Sequence, residues 1–277
     1  MKNARQILIK ARRQIIGDRI GNNPSMFRGE GFDFIELREY VPGDDTRHID
    51  WNITAKMQRP YVKVFREERE LSVVTVAMLS GGLYFGQERF KIESLAEAVA
   101  LVGYSAIGNG DLFTHYNFSE SMRDEVRSTK KHFAVAQSVE GILASEILHR
   151  RADYRVMADT LYRRLRRRSL IVVGGDFFEI PDLRLLAKKH EVVAVVVRDR
   201  LEENPAPMGF TALIDPESGA VIEGDFNERS VRKYHERVRA HDAALFERFR
   251  KDGIRSVKLY TDASASVALR RLFEGRA

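Results

Sequence analysis

Three runs of apolar and β-branched residues constrain the fold of this chain more than any other feature. They read LSVVTVAML at 71–79, SLIVVGGD at 169–176 and EVVAVVV at 191–197. Continuous apolar runs of this kind are typical of strands that are covered on both faces of a sheet. Because segments with helical periodicity separate the runs, the sequence predicts a mainly parallel, doubly wound α/β sheet with helices on both faces.

Weaker patterns extend this alternation to the end of the chain. Strands are predicted at 111–118 and 256–260, and TALIDPESGAVIEG at 211–224 predicts a hairpin around the turn at 215–219. Helical periodicity predicts the intervening helices at 90–102, 132–148, 152–167, 228–252 and 265–273. Residues 71–277 are therefore predicted to form the main domain.

Residues 1–70 follow a different pattern. A basic helical start precedes the turn-rich stretch GNNPSMFRGEGFDF, and the segments DFIELREYVPGDD and PYVKVFREERE alternate as extended chains do. We expect this region to form an extended layer that packs on the 71–277 domain rather than an independent domain.

The composition excludes several classes of protein. The chain has no cysteine, so disulfide frameworks, thiolate metal sites and cysteine nucleophiles are excluded. No segment approaches the ~20 apolar residues of a membrane span, and the N-terminus lacks the apolar core of a signal peptide. We therefore expect a cytoplasmic protein that reaches the inner membrane only through a partner.

A basic patch stands out within a net charge of +6. It lies in YRRLRRRS at 162–169 and comprises Arg163, Arg164, Arg166, Arg167 and Arg168. At the end of a predicted helix, these side chains are most simply interpreted as a solvated terminus that complements the helix dipole. The alternative is a nucleic-acid or anionic membrane-surface binder, whose affinity would fall steeply with salt.

Two predicted strands end in short glycine stretches, SGG at 80–82 and GGD at 174–176. Ligands of doubly wound sheets bind beyond the carboxyl ends of the strands, so both stretches should lie on one binding rim. Neither stretch has the spacing or the lysine of a phosphate-binding loop. The seven histidines stand in no hydrolase-like context that would supply Ser80 with a base. We therefore expect no catalytic residue and a protein that is not an enzyme.

A second unusual stretch is LREYVPGDDTRHIDWNITAK at 37–56, which crowds charges beside the single tryptophan. A structural interpretation accounts for it, because arginine can fork onto a carboxylate, aspartates can cap turns and Trp51 can anchor the layer. A metal-dependent hydrolase that uses the carboxylates of GDDTRHID is the weakest alternative. The residues of this signature cluster are Arg38, Tyr40, Gly43, Asp44, Asp45, Arg47, Asp50 and Trp51.

The stretch from Gly29 to Glu70 resembles the signature of the domain-of-unknown-function-58 family. Downstream, KIESLAEAVALVGYSAIGNGD and LIDPESGAVIEGD follow in the order of that family, so the resemblance spans nearly the whole chain. The resemblance implies a von Willebrand factor type A-like fold for the main domain. It also implies a partner, because the family is associated with MoxR-type AAA+ ATPases that remodel, mature or assemble a client protein.

The type A-like domains of this family typically carry a metal-ion-dependent adhesion site that begins Asp-x-Ser-x-Ser. Here those three positions are Met78, Ser80 and Gly82, while Asp176 takes the place of the later aspartate. Thr129 is the candidate for the threonine of the middle loop. The resemblance therefore implies a degenerate site with no metal and no cofactor, where any divalent cation binds weakly. We expect its loops to contact protein, in a non-enzymatic adaptor of a MoxR-type ATPase.

Overall fold

The computed structural model describes residues 4–20, 34–65 and 70–274. The described residues form ten strands, β1 (Phe34–Glu39), β2 (Tyr61–Phe65), β3 (Ser72–Met78), β4 (Leu112–Phe118), β5 (Met122–Thr129), β6 (Leu170–Gly175), β7 (Glu191–Arg198), β8 (Gly209–Ile214), β9 (Val221–Phe226) and β10 (Arg255–Tyr260). They also form nine α-helices, α1 (Ala4–Ile20), α2 (Trp51–Met57), α3 (Lys91–Gly108), α4 (Phe133–Ala144), α5 (Tyr154–Arg164), α6 (Arg184–Lys189), α7 (Arg200–Glu203), α8 (Glu228–Lys251) and α9 (Ala265–Glu274).

The chain divides into two compact units. The larger unit comprises Met1–Phe27 and Leu71–Ala277, and the smaller comprises Arg28–Glu70. The division differs from the expected boundary at residue 70, because α1 packs on α3 within the larger unit. Ile7, Ala11 and Ile15 supply the buried face of α1. The N-terminal helix therefore belongs with the sheet and not with an extended layer.

A six-stranded sheet with the order β10-β7-β6-β3-β4-β5 forms the centre of the larger unit. All neighbouring strands are parallel except β5, which runs antiparallel to β4 at one edge. The charged, alternating sequence of β5 has few buried side chains, which is why its pattern was not recognised as a strand. The strand order reverses on either side of β3, so the carboxyl end of β3 is the topological switch point.

Helices cover both faces of this sheet, as the sequence predicts. On β3, Val73 and Ala77 face one core, whereas Val74, Val76 and Met78 face the other. The first core is completed by α1, α3, α4 and α9, and the second by α5, α6 and α8. Burial on both faces explains why the central strands are continuously apolar.

The smaller unit contains the antiparallel pair β1–β2, with α2 between the two strands in sequence. Helix α2 begins where the Asp50 side chain accepts hydrogen bonds from the backbone N–H groups of Asn52 and Ile53. This helix was not predicted from the sequence. Trp51 is its first residue and is 69% exposed.

Within the described ranges, no helix is long and apolar enough to cross a membrane.

His115 is a buried polar residue in the core on β4. Its Nδ1 lies 2.8 Å from the Thr75 hydroxyl, and its Nε2 lies 2.9 Å from Asn117 Oδ1. Burial lowers the pKa of His115 to about 4, although the hydrogen bonds to Asn117 and Thr75 oppose this effect. The folded protein therefore holds His115 neutral over a pH range in which the unfolded chain binds a proton.

This difference predicts a pH-dependent loss of stability. Between about pH 6.5 and 4 the unfolded chain binds more protons at His115, so this residue should lower the free energy of unfolding by up to about 3 kcal/mol as pH decreases. Urea unfolding at a series of pH values measures the slope. His115→Gln should remove this contribution from the slope, and His132→Gln, at an exposed position, serves as the comparison. An unchanged slope in His115→Gln contradicts the assignment.

Candidate functional site

Ser80 and Asp176 meet at the carboxyl edge of the sheet. They follow the ends of β3 and β6, which are parallel neighbours and therefore finish on the same side. The Ser80 hydroxyl donates a hydrogen bond of 2.5 Å to Asp176 Oδ2, and both residues are buried. The structure thus brings together the two polar residues for which the sequence predicted a shared rim.

A strained turn positions Asp176. The next residue, Phe177, has a φ of +50°, in the left-handed region that non-glycine residues rarely occupy. Its N–H donates a 3.0 Å hydrogen bond to the Tyr154 hydroxyl, and its ring stacks on the Tyr154 ring at 4.8 Å. Burial, together with the Asp176 charge, raises the pKa of Tyr154 well above its usual range, so this hydroxyl stays neutral. Packing in the second core therefore compensates the strain.

The turn of the predicted hairpin lies on this rim, which the sequence did not predict. A Cβ at Gly81 would lie 2.0 Å from the backbone oxygen of Pro216, so only glycine permits this approach. The same Pro216 oxygen accepts a 2.8 Å hydrogen bond from the backbone N–H of His149. A Cβ at Gly82 would lie 2.7 Å from Asp176 Oδ2, so the carboxylate lies against this glycine and leaves no room for a side chain there.

Glu217 in this turn is the acidic residue that sequence reasoning missed. Burial raises its pKa to about 7, and the charges of Asp176 and Asp215 add to the effect. The Ser80 hydroxyl and the Arg151 guanidinium oppose it, with Arg151 Nε 4.0 Å from Glu217 Oε2. At neutral pH this carboxyl group is therefore partly protonated. The turn was visible in the sequence, but the distance from residue 217 to residue 176 was not.

Two fully buried cations lie behind the rim. Arg198, at the end of β7, donates to the backbone oxygen of Asp176 and, over 2.9 Å, to Asp242 Oδ1. Lys91, at the start of α3, pairs with Glu202. The Phe178 ring contacts both cations, with its centroid 4.3 Å from Arg198 Cζ and 5.2 Å from Lys91 Nζ. Burial raises the pKa of Glu202, and the charge of Lys91 opposes this effect.

The ionic network continues away from the rim. Lys258 Nζ lies 2.7 Å from both Asp242 Oδ2 and Glu203 Oε1, and the Tyr260 hydroxyl donates to Glu203 over 3.0 Å. Each buried charge in this network thus faces an opposite charge. The arrangement fixes the ends of β7 and β10.

The residues on the rim do not fit the metal ion that the resemblance associates with such a site. The Met78 side chain is buried in the second core, and Gly82 offers no donor atom. Among the described residues, no three histidine, aspartate or glutamate side chains lie together as a metal-binding group. Thr129 pairs with Phe113 at the amino end of β4, whereas the rim lies at the carboxyl ends of the strands. Its assignment to the middle loop of the rim is therefore wrong.

Arginine and lysine neutralise the carboxylates of the signature cluster within the smaller unit. Arg38 forks onto Asp44 at 2.6 and 2.8 Å, Arg47 lies 2.7 Å from Asp45, and Lys63 lies 2.8 Å from Asp50. The pKa of each of the three aspartates is lowered, chiefly by the hydrogen bond from its cation. A separate cation for each carboxylate matches a structural cluster better than a shared metal.

Backbone features of the signature cluster also have a structural explanation. Gly43 has a φ of +113°, which favours glycine at this turn. The N–H of Tyr40 donates 2.8 Å to the backbone oxygen of Pro60, which holds the two strands together next to that turn.

The basic patch lies near the amino ends of the parallel strands, on the side of the sheet opposite the rim. Helix α5 ends at Arg164, which pairs with Glu125 at 2.7 Å, and Arg166, Arg167 and Arg168 follow in the exposed segment before β6. This segment leads into the amino end of β6, whereas Asp176 follows its carboxyl end. The patch and the Ser80–Asp176 pair therefore form two separate surfaces.

Together, the sheet order and the rim define a mainly parallel α/β protein with a buried polar pair at its switch point. A family model described as "Protein of unknown function DUF58" matches residues 36–244, and the chain belongs to that family. This finding confirms the resemblance seen in the sequence.

Curated relatives span most of the chain. "Uncharacterized protein Rv1480" of Mycobacterium tuberculosis and "Uncharacterized protein Mb1516" of Mycobacterium bovis are each 28% identical over 265 residues, which cover 93% of this chain and 84% of the relative.

Solved structures with lower similarity were also found. The conserved hypothetical protein BatB of Bacteroides thetaiotaomicron is 16% identical, with a TM-score of 0.45 over 74% of this chain and 98% of that one. An aerotolerance-related membrane protein of Bacteroides fragilis is 13% identical, with a TM-score of 0.45 over 75% of this chain and 98% of that one.

The buried pair Lys91–Glu202 gives a prediction for stability. Lys91→Met should cost about 3–5 kcal/mol, because it leaves Glu202 buried without its counter-charge. Adding Glu202→Gln should recover a large part of that loss. Lys251→Met provides the control, since its pair with Glu247 is exposed to solvent and should contribute little to stability. Denaturant unfolding followed by circular dichroism measures each change, and equal losses in the single and double variants contradict the prediction.

Proposed function

We propose that this protein is a non-enzymatic adaptor that binds another protein through the hairpin β8–β9 and the adjoining rim. The observation that carries the proposal is the exposure of apolar side chains on both faces of that hairpin. Ile214 and Val221 form one cross-strand pair, and Leu213 and Ile222 form the other. Ile214 and Ile222 are 68% and 62% exposed, and clustered apolar exposure of this kind is typical of interaction surfaces.

The charge of the hairpin indicates the chemistry of its partner. Between residues 209 and 228 the chain has acidic residues and no lysine or arginine, although the whole chain has 46 basic residues. An acidic strand pair with apolar side chains complements an apolar groove with a basic rim. The acidic residues are Asp215, Glu217, Glu223, Asp225 and Glu228.

The rim itself favours binding over catalysis. Ser80 has no exposed surface, and its hydroxyl is engaged with Asp176. Arg198 and Lys91 are paired with acidic residues and fully buried. Ser80 is therefore not an accessible nucleophile at this edge.

The proposed fold class and the proposed partner depend on the sheet topology and on the family resemblance, respectively. A von Willebrand factor type A-like domain is supported by the parallel order around β3 and by the antiparallel edge strand β5. A MoxR-type AAA+ ATPase is the proposed partner on the strength of the family resemblance. In this proposal the adaptor acts in the cytoplasm, presents a client protein to the ATPase and reaches the inner membrane through that partner.

Binding to a purified MoxR-type ATPase from the same organism tests the proposal. We expect a complex by calorimetry, and Ile214→Ser combined with Ile222→Ser should weaken it at least tenfold by removing apolar contact area. Leu185→Ser is the matched control, because Leu185 on α6 is equally exposed but lies away from the hairpin. Absence of a complex both with and without nucleotide, or equal weakening by the control, contradicts the proposal.

A further inference from the structure

The hairpin β8–β9 is attached to the larger unit at both of its ends. At its turn, the backbone oxygen of Pro216 accepts a 2.8 Å hydrogen bond from the N–H of His149. At its base, the Ser230 hydroxyl on α8 donates a 2.9 Å hydrogen bond to the backbone oxygen of Asp225. Most residues of both strands between these attachments are exposed. A partner therefore meets strands whose course is already set, which lowers the entropy cost of binding.

The register of the hairpin shows which backbone groups of β8 face away from β9. The N–H of Asp215 donates a 2.8 Å hydrogen bond to the Ala220 oxygen, so these two residues form a hydrogen-bonded pair. Because hydrogen-bonded and non-hydrogen-bonded pairs alternate along an antiparallel ladder, Phe210, Ala212 and Ile214 belong to the non-hydrogen-bonded pairs. Their N–H and C=O groups point outward, and no backbone hydrogen bond from the described part of the chain reaches them.

The outer edge of β8, formed by these three alternate residues, is less obstructed than the outer edge of β9. The hairpin is a sheet of two strands, so within the described residues no third strand lies beside either of them. On β9, the Asp225 oxygen is one of the outward groups, and the Ser230 hydroxyl already occupies it. The outer edge of β8 is therefore the one that offers a row of unpaired groups to an incoming strand.

The side chains on one face of the hairpin indicate what such a strand carries. Phe210 and Ile214 are 79% and 68% exposed, and Ala212 stands between them on the same face. Ala212 pairs with Glu223 on β9, whose carboxylate is on that face too. A strand beside β8 lies two strand spacings, about 10 Å, from β9. A lysine or arginine opposite Ala212 can therefore extend over the alanine methyl group and meet the Glu223 carboxylate.

We propose that the outer edge of β8 binds an extended segment of the partner as a third strand, in which a lysine or arginine stands two positions from an apolar residue on either side. The apolar side chains pack on Phe210 and Ile214, and the cation pairs with Glu223. Backbone hydrogen bonds supply affinity and the side chains supply selectivity. This inference rests on the proposed function for the existence of a partner, and it adds the binding mode and the sequence pattern that the partner presents.

A synthetic peptide tests the binding mode without an ATPase. The probe is Ser-Val-Thr-Lys-Thr-Val-Ser with blocked termini, whose pattern is the same in both chain directions. In an NMR titration we expect saturable binding and at least tenfold slower amide exchange at Phe210, Ala212 and Ile214. The amides of Thr211 and Leu213, which pair with β9, should change little. No binding, or binding that leaves the three outward amides unchanged, would overturn the proposal.

N-methylated peptides distinguish strand addition from simple apolar contact. The N–H groups of an added strand point alternately towards β8 and towards solvent. Methyl groups on one alternating set of peptide nitrogens, either the valines and lysine or the threonines, should abolish binding, and methyl groups on the other set should leave it intact. Equal effects of the two sets would show that no ladder forms and would count decisively against the proposal.

Exchange of charge tests the selectivity. Glu223→Lys should weaken binding of the lysine peptide at least tenfold and should strengthen binding of the same peptide with glutamate at that position. Glu247→Lys is the matched control, because Glu247 is exposed near the other end of α8 and undergoes the same change of charge. If the two variants respond alike, Glu223 does not recognise the cation and the proposed pattern is wrong.

Ala212→Pro separates this inference from the proposed function, because it removes one outward N–H without breaking a hydrogen bond of the hairpin. We expect it to weaken both the peptide complex and the ATPase complex. If the ATPase binds Ala212→Pro as tightly as the natural protein, the inference fails and the adaptor function stands. If the peptide binds as expected and the ATPase does not, the choice of ATPase fails instead. Slowed exchange of the outward amides at high protein concentration without peptide would make a second copy the occupant and overturn the proposal.

Discussion

The burial of the Asp176 carboxylate is the constraint on which the strand-end rim depends. A carboxylate without access to water requires donors and nearby positive charge, or its burial destabilises the fold. The Ser80 hydroxyl donates to it directly, and Arg198 binds the backbone of the same residue. The buried Arg198 guanidinium pairs with Asp242, and Asp242 also pairs with Lys258. The ends of four strands are thus held in one electrostatic arrangement.

The architecture of the larger unit was predictable because burial on both faces marks a strand in the sequence. Parallel strands with consecutive helices also place Ser80 and Asp176 at one edge without further information. This reasoning could not identify Glu217, Lys91 and Arg198, because the local sequence does not indicate which distant charged residue each of them contacts. Their roles come from tertiary packing, whose partners are separated by tens of residues.

Short elements without an apolar pattern could not be predicted from the sequence. Helix α2 is defined mainly by the Asp50 cap, and β5 alternates charged residues at the edge of the sheet. Helix α1 was grouped with the signature region by its position in the chain, although Ile7, Ala11 and Ile15 mark a face that packs on α3. The apolar face of α1 therefore indicates its structural unit better than its position in the chain does.

The exposed pairs on β8 and β9 have a consequence for the protein on its own. A two-stranded sheet has two unpaired edges, and apolar side chains on both faces make such edges templates for pairing between copies. Glu223 and Asp225 place repelling charge along β9, in the manner of gatekeeper residues that keep identical strands apart. The acidity of the hairpin therefore protects the protein from self-association for as long as its apolar surface is uncovered.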